Sequence, residues 1–113
     1  MQKADAALAK VIEANNGAQD AYLYKAKINQ YIGSDVSYAE MAKNYDEYIR
    51  IVTAAGAAET SKPAVKKNLI EAYSNAGAYY AVTNKPKAKE YFNKALELDP
   101  NDTYAKAELK KLQ

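Results

Sequence analysis

The chain contains no cysteine, no histidine and no tryptophan, and a single phenylalanine. Without cysteine there is no disulfide framework and no thiol chemistry. Without histidine or cysteine the usual general base, the common zinc ligands and the Ser-His or Cys-His nucleophile pairs are all missing. The four glycines stand alone at positions 17, 33, 56 and 77, so no phosphate-cradling loop can be assembled. No apolar run approaches the roughly eighteen residues that a membrane-spanning helix needs. An excess of one charge is lacking too: sixteen basic against fourteen acidic residues leave +2, too little for a nucleic-acid or polyanion binder. The opening Met1-Gln2-Lys3-Ala4-Asp5 lacks the basic-then-apolar design of a secretory leader, which would have to lie upstream. A cysteine-free chain suits cytoplasm or periplasm equally.

What is present is apolar residues at 49% and charged residues at 27% over 113 positions, a globular balance for about one domain. Alanine and tyrosine dominate the apolar part, with eleven tyrosines. Alanine lets helices approach closely, and tyrosine adds bulk with a polar tip. That mixture suits thin helical layers. The basic residues crowd the last third (Lys85, Lys87, Lys89, Lys94, Lys106, Lys110, Lys111), interleaved with Glu90, Glu97, Asp99, Asp102 and Glu108. Such interleaving marks a solvated helical face rather than a phosphate-binding patch. The carboxylate neighbours Asp46-Glu47 and Asp99/Asp102 read as surface charges, since adjacent residues face different ways on a helix.

Helical periodicity divides the chain into six segments. The first runs over about 3–15, with Ala4, Leu8, Val11 and Ile12 on one stripe, and Asn16-Gly17 stops it. A second covers about 20–32 and ends at Gly33. A third opens at Ser37, paired with Glu40 in a capping box, and carries Tyr38, Met41, Ala42, Tyr45, Ile49 and Val52 to about Gly56. Residues 57–62 read as a loop. Pro63 begins a fourth helix, where its missing amide costs nothing, with Val65, Leu69, Tyr73, Ala76, Gly77 and Tyr80 inward to about Val82. Thr83-Asn84-Lys85-Pro86 is a tight cap and turn. The fifth helix carries Ala88, Tyr91, Phe92, Ala95, Leu96 and Leu98 and stops at Asp99-Pro100-Asn101. A sixth, from about Thr103, turns Ala105, Leu109 and Leu112 inward. Short links make neighbouring helices antiparallel. Of the tyrosines, 22, 45, 73, 80 and 91 fall on inward stripes, which favours packing over stacking on bases or glycans. Tyr24, Tyr31, Tyr48 and Tyr79 fall beside those stripes and are the better candidates for exposed contact.

The chain also aligns with itself. Asp20-Ala21-Tyr22 through Ala26 sits over Glu71-Ala72-Tyr73 through Gly77, and Ala42-Lys43-Asn44-Tyr45 sits over Ala88-Lys89-Glu90-Tyr91. Ala4, Leu8 and Val11 match Ala88, Phe92 and Ala95. On these residues the sequence resembles the tetratricopeptide repeat family, most strongly in the run from Ala88 to Asn101. There small, bulky aromatic and small residues lead to the proline that ends the family's unit. Tyr73, Gly77 and Tyr80 stand for the family's leading aromatic, small crossing residue and second aromatic. The resemblance is strong over residues 69–113 and weaker over 1–60. Residues 33–37 insert roughly four extra positions and the link over 53–62 is long for the family, while Lys25 and Asn29 replace its leucine and tyrosine. Irregular, tyrosine-rich repeats of this kind resemble those of bacterial proteins.

The resemblance implies an all-α, right-handed superhelical solenoid of antiparallel hairpins with about six helices. One domain would span 1–113: the second helix of a truncated repeat at 1–16, a repeat with an insertion at 18–56, a repeat at 63–100, and a closing helix at 101–113. It further implies a non-catalytic protein–protein interaction or scaffold module, with no metal, no cofactor and no catalytic residue. A peptide or partner segment would lie in a concave groove lined by Leu23, Lys27, Gln30 and Tyr31 from one repeat and Glu71, Ser74, Ala78 and Val82 from the next. The family's carboxylate clamp for chaperone C-termini is not expected. Of its pattern only Asn75 matches, and Leu23 and Lys27 stand where lysine and asparagine are needed. The alternative is a structural or self-assembly element of a larger polypeptide. The edge formed by Ala4, Leu8, Val11 and Ile12 lacks its partner helix, so weak self-association there is expected. No nucleic-acid or membrane partner is expected.

Overall fold

A computed structural model of the chain describes residues 19–112, and among them helix is the only regular structure. The helices are α1 (Gln19–Ile32), α2 (Asp35–Ala54), α3 (Ala57–Thr60), α4 (Pro63–Thr83), α5 (Lys85–Leu98) and α6 (Thr103–Leu112). The expected all-α class therefore holds for these residues. The helix expected over 3–15 lies outside them. The chain divides into two compact units, Met1–Thr60 and Ser61–Gln113. No described helix is long and apolar enough to cross a membrane.

In the first unit α1 and α2 pack along their length. Gly33 takes φ 73°, a left-handed conformation that glycine reaches without penalty, and so ends α1 abruptly. Ser34 caps α2 immediately afterwards. The Ser37 amide donates to Ser34 Oγ at 3.1 Å, and the Ser34 amide donates to Ser37 Oγ at 2.8 Å. This corrects the sequence expectation of a box at Ser37 and Glu40. The helix starts earlier, because Ser34 is the first side chain after the turn able to reach the exposed amides. Glu40 instead pairs with Lys43 at 3.5 Å on the exposed surface. The short link makes the two helices antiparallel. Only Gly33 and Ser34 separate the end of α1 from the start of α2, so the chain must fold back there. Asn29 and Gln30, near the end of α1, meet Asn44 and Tyr45 at the middle of α2.

The first unit's core is Ala21, Leu23, Ala26, Met41, Ala42, Tyr45, Tyr48 and Val52, with Tyr45, Tyr48 and Val52 entirely removed from solvent. Tyr48 is thus corrected from an exposed candidate to a core residue. It shares the stripe of Met41, Tyr45 and Val52 at steps of four, three and four, the face that α1 covers. Tyr38, which opens the same periodic run, is 40% exposed. Some buried positions are polar: Asn44 is 8% exposed, and its Nδ2 donates to Asn29 Oδ1 at 2.8 Å. Gly56, with φ 95°, ends α2, and the chain restarts as the one-turn α3 where a loop was expected. Gln19 Nε2 donates to Glu59 Oε1 at 2.7 Å, holding that turn against the start of α1.

In the second unit Pro63 occupies the first turn of α4, as its spacing predicts. A single residue, Asn84, separates α4 from α5, and its Oδ1 accepts from the Lys87 amide at 3.3 Å. Such a short link forces the helices to fold back on each other. Tyr80, near the end of α4, meets Tyr91, near the start of α5, while Tyr73 lies within the influence of Glu97, near the end of α5. Val65, Leu69, Ala72, Tyr73, Ala76, Ala88, Phe92, Ala95 and Ala105 form the core. Each fully buried large side chain contributes about 1.5–3 kcal/mol. Gly77 faces α5 closely: a Cβ at this position would lie 3.2 Å from Phe92 Cε1 and Cζ. The close approach is therefore between the bare backbone of α4 and an aromatic ring of α5, a helix that also carries the fully buried Ala88. Asp99 Oδ1 accepts from the Asn101 amide at 3.0 Å, and Asp102 Oδ1 accepts from the Tyr104 and Ala105 amides at 3.0 and 3.2 Å. These two carboxylates shape the turn and cap α6, which packs on α5 through Phe92 and Tyr104.

Candidate functional site

Helical spacing puts Leu23, Lys27, Gln30 and Tyr31 on one face of α1, at steps of four, three and one. Leu23 is buried, while Lys27, Gln30 and Tyr31 are exposed. Gln30 is also a structural partner, since the Tyr45 hydroxyl donates to its Oε1 at 3.1 Å. That bond holds Gln30 at the base of the exposed patch and relieves the buried end of Tyr45. Tyr31 is 86% exposed at the very end of α1, and the turn beyond it leaves Ile32 and Val36 at 47% and 76%. Tyr24, two turns before Tyr31, is 57% exposed, so this side of α1 presents aromatic rings to water.

On α4 in the second unit, Glu71, Ser74, Ala78 and Val82 follow one another at steps of three and four and likewise share a face. Glu71 and Ala78 are half-buried, Ser74 is buried and Val82 is 84% exposed. Ser74 Oγ finds no hydrogen-bond partner among the described residues. The exposed members of the eight expected residues are thus Lys27, Gln30, Tyr31 and Val82.

A feature that periodicity does not single out lies across the second hairpin. Tyr73, Tyr91, Tyr80 and Tyr79 form a chain of edge-to-face rings, with successive centroids at 5.4, 5.4 and 5.3 Å. Such pairs add about 0.5–1.5 kcal/mol beyond area burial. Lys87 Nζ lies 4.2 Å from the Tyr80 centroid and 5.6 Å from that of Tyr91, a cation over both rings. The signal available in the sequence is Tyr73 and Tyr80 one heptad apart with Tyr91 opposite, and by itself it reads as packing alone. Burial raises the Tyr73 phenol above its ordinary range, and Glu97 and Glu90 push it the same way. Burial also raises Tyr104, with Glu108 adding to the effect and Lys111 opposing it.

Among the described residues no three histidine, cysteine, aspartate or glutamate side chains gather as a metal site. Asp46 and Glu47 are half-buried neighbours on α2, and Glu47 Oε2 accepts from Arg50 Nη2 at 2.7 Å as an ordinary one-turn ion pair. Taken separately, the α1 face exposes aromatic rings beside the Lys27 cation, and the α4 face exposes the aliphatic Val82. Comparison of the chain with models of known families, with curated proteins and with solved structures finds no match.

Proposed function

We propose that this chain is a non-catalytic protein–protein interaction module whose α1 and α4 faces engage a peptide or partner segment. In this reading its hairpins belong to a tetratricopeptide-like, right-handed solenoid. Two features support that architecture: α1–α2 and α4–α5 are both antiparallel hairpins, and in the second the bare backbone at Gly77 receives the Phe92 ring while Ala88 is fully buried. The observation that carries the binding role is the exposure of Tyr31 at 86% and Val82 at 84% on the faces that the repeat assigns to a ligand. Large apolar side chains left in water at such places serve recognition when a partner covers them.

A peptide display library selected against the chain tests this. Selected peptides should lose about tenfold or more in affinity to Tyr31→Ala, about 1.4 kcal/mol per decade, with Val82→Ala and Lys27→Glu also weakened. Helicity by circular dichroism should stay unchanged in all three. Peptides that bind the three variants as well as the parent overturn the groove assignment. A chain that selects no peptide but forms dimers in sedimentation favours the self-assembly alternative.

A further inference from the structure

We propose that Tyr80 and Tyr91 form an oxidative modification site, at which a one-electron oxidant of phenols joins α4 to α5 through an intramolecular dityrosine bond. Few other side chains here can be oxidised. The chain has no cysteine and no tryptophan, and of its two methionines Met41 is 3% exposed while Met1 lies outside the described residues. An oxidant meeting the described surface therefore finds tyrosine as the electron-rich side chain within reach.

The tyrosines of the second unit stand close enough together to couple. Rings 79, 80, 91 and 73 succeed one another at 5.3–5.4 Å between centroids, near enough for a radical made on one phenol to pass to the next. Tyr91 is the hub, in edge-to-face contact with both Tyr73 and Tyr80. Three pairs can be compared. Tyr79 and Tyr80 are consecutive on one helix, so coupling them would close a small, strained ring. Tyr73 is 9% exposed, and its ring is held in the core. Tyr80 and Tyr91 are both half-buried, with centroids 5.4 Å apart and rings crossing at 87°; coupling requires them to tilt until their ortho carbons meet. The Lys87 ammonium over both rings keeps them together on the same side of the hairpin.

The chemistry balances with a haem peroxidase and hydrogen peroxide as oxidant. Each phenol gives up one electron and its hydroxyl proton, and the two phenoxyl radicals form one carbon–carbon bond between ortho positions. The two ring hydrogens at those carbons then shift to the phenoxyl oxygens, restoring both phenols. The peroxide accepts the two electrons and two protons and leaves as two waters.

The test is to treat the dilute, purified chain with peroxidase and hydrogen peroxide, and to follow dityrosine fluorescence and the mass of the linked peptides. The expected result is a monomeric product whose main cross-link joins the peptides containing Tyr80 and Tyr91, two hydrogens lighter than their sum. Tyr91→Phe keeps the packed ring and removes the phenol, and should cut the yield at least tenfold, as should Tyr80→Phe. Tyr24→Phe and Tyr31→Phe, at the most exposed rings, should leave it unchanged. The linked chain should unfold at a temperature about 5 °C or more above the parent's, because the bond closes a loop between the two helices. Cross-links confined to pairs between molecules, a yield indifferent to Tyr91→Phe, or oxidation without any dityrosine would each overturn the assignment.

Discussion

Gly77 lies within the α4 helix at an ordinary helical φ, so glycine is needed there for what faces it rather than for backbone freedom. The would-be Cβ meets three Phe92 ring atoms at 3.2, 3.2 and 3.4 Å, and Phe92 is itself fully buried and cannot easily give way. Two effects oppose each other in Gly77→Ala: helix propensity gains up to about 1 kcal/mol, and the crowded ring takes some of it back. A valine has no such balance, and Gly77→Val should destabilise the chain by about 1–3 kcal/mol in urea unfolding. The shared contact can be tested directly. Phe92→Leu combined with Gly77→Val should cost less than the two single changes added together, a coupling of about 0.5 kcal/mol or more. Strict additivity would place the strain elsewhere.

At the scale of the helix, the start of α2 separates two capping boxes that the sequence permits. Ser34→Ala should cost about 1 kcal/mol, because it strips the acceptor from the Ser37 amide. Glu40→Ala should be nearly silent, since Glu40 makes an exposed ion pair with Lys43 rather than a cap. Equal losses from both would restore the box at Ser37. The helix boundaries were legible: Gly33 and Gly56 end helices by taking positive φ, and Pro63 starts one where its missing amide costs nothing. The cap was not, because only Ser37-Tyr38-Ala39-Glu40 carries the Ser-x-x-Glu signature, whereas in the structure the hydroxyl of Ser37 takes the carboxylate's place in a box opened by Ser34. Periodicity misplaces Tyr48 for a related reason. Both Tyr48 and Ile49 lie within a turn of Tyr45 and Val52, and only the position of α1 decides that Tyr48 is the one covered. In the candidate site, the exposure of Tyr24 and Tyr31 followed from their place off the stripe. The burial of Leu23 and Ser74 did not, because periodicity ranks the faces of a helix without saying how wide a neighbour's cover is.

The α1–α2 seam carries its own prediction. Across it the Asn44 amide donates to Asn29 Oδ1 at 2.8 Å. Asn29→Leu alone leaves the buried Asn44 amide without that acceptor and should cost about 1–3 kcal/mol. Changing both to leucine removes the polar group altogether and should recover most of that loss. If the double variant is instead the less stable of the two, the amide pair contributes more than mutual satisfaction.

For the molecule as a whole, a net charge of +2 and the absence of histidine leave little to titrate between pH 5 and 8, so stability should be flat there. The alkaline side differs, because Tyr73 and Tyr104 in the second unit both have phenols raised above their ordinary value of 10.0, burial being the first cause in each. A raised phenol holds its proton more tightly folded than unfolded. Its contribution is therefore fully present below pH 10 and is lost as pH climbs from the unfolded value through the higher folded one. Thermal unfolding followed by circular dichroism from pH 8 upward should show a flat melting temperature that falls beyond about pH 10. Lysines also lose charge in that range, so the parent alone does not isolate the cause. Tyr73→Phe does, since it keeps the ring against Tyr91 and removes the ionisable hydroxyl, and its decline above pH 10 should be shallower than the parent's. A variant that falls as steeply would show that the Tyr73 phenol is not the source of the alkaline loss.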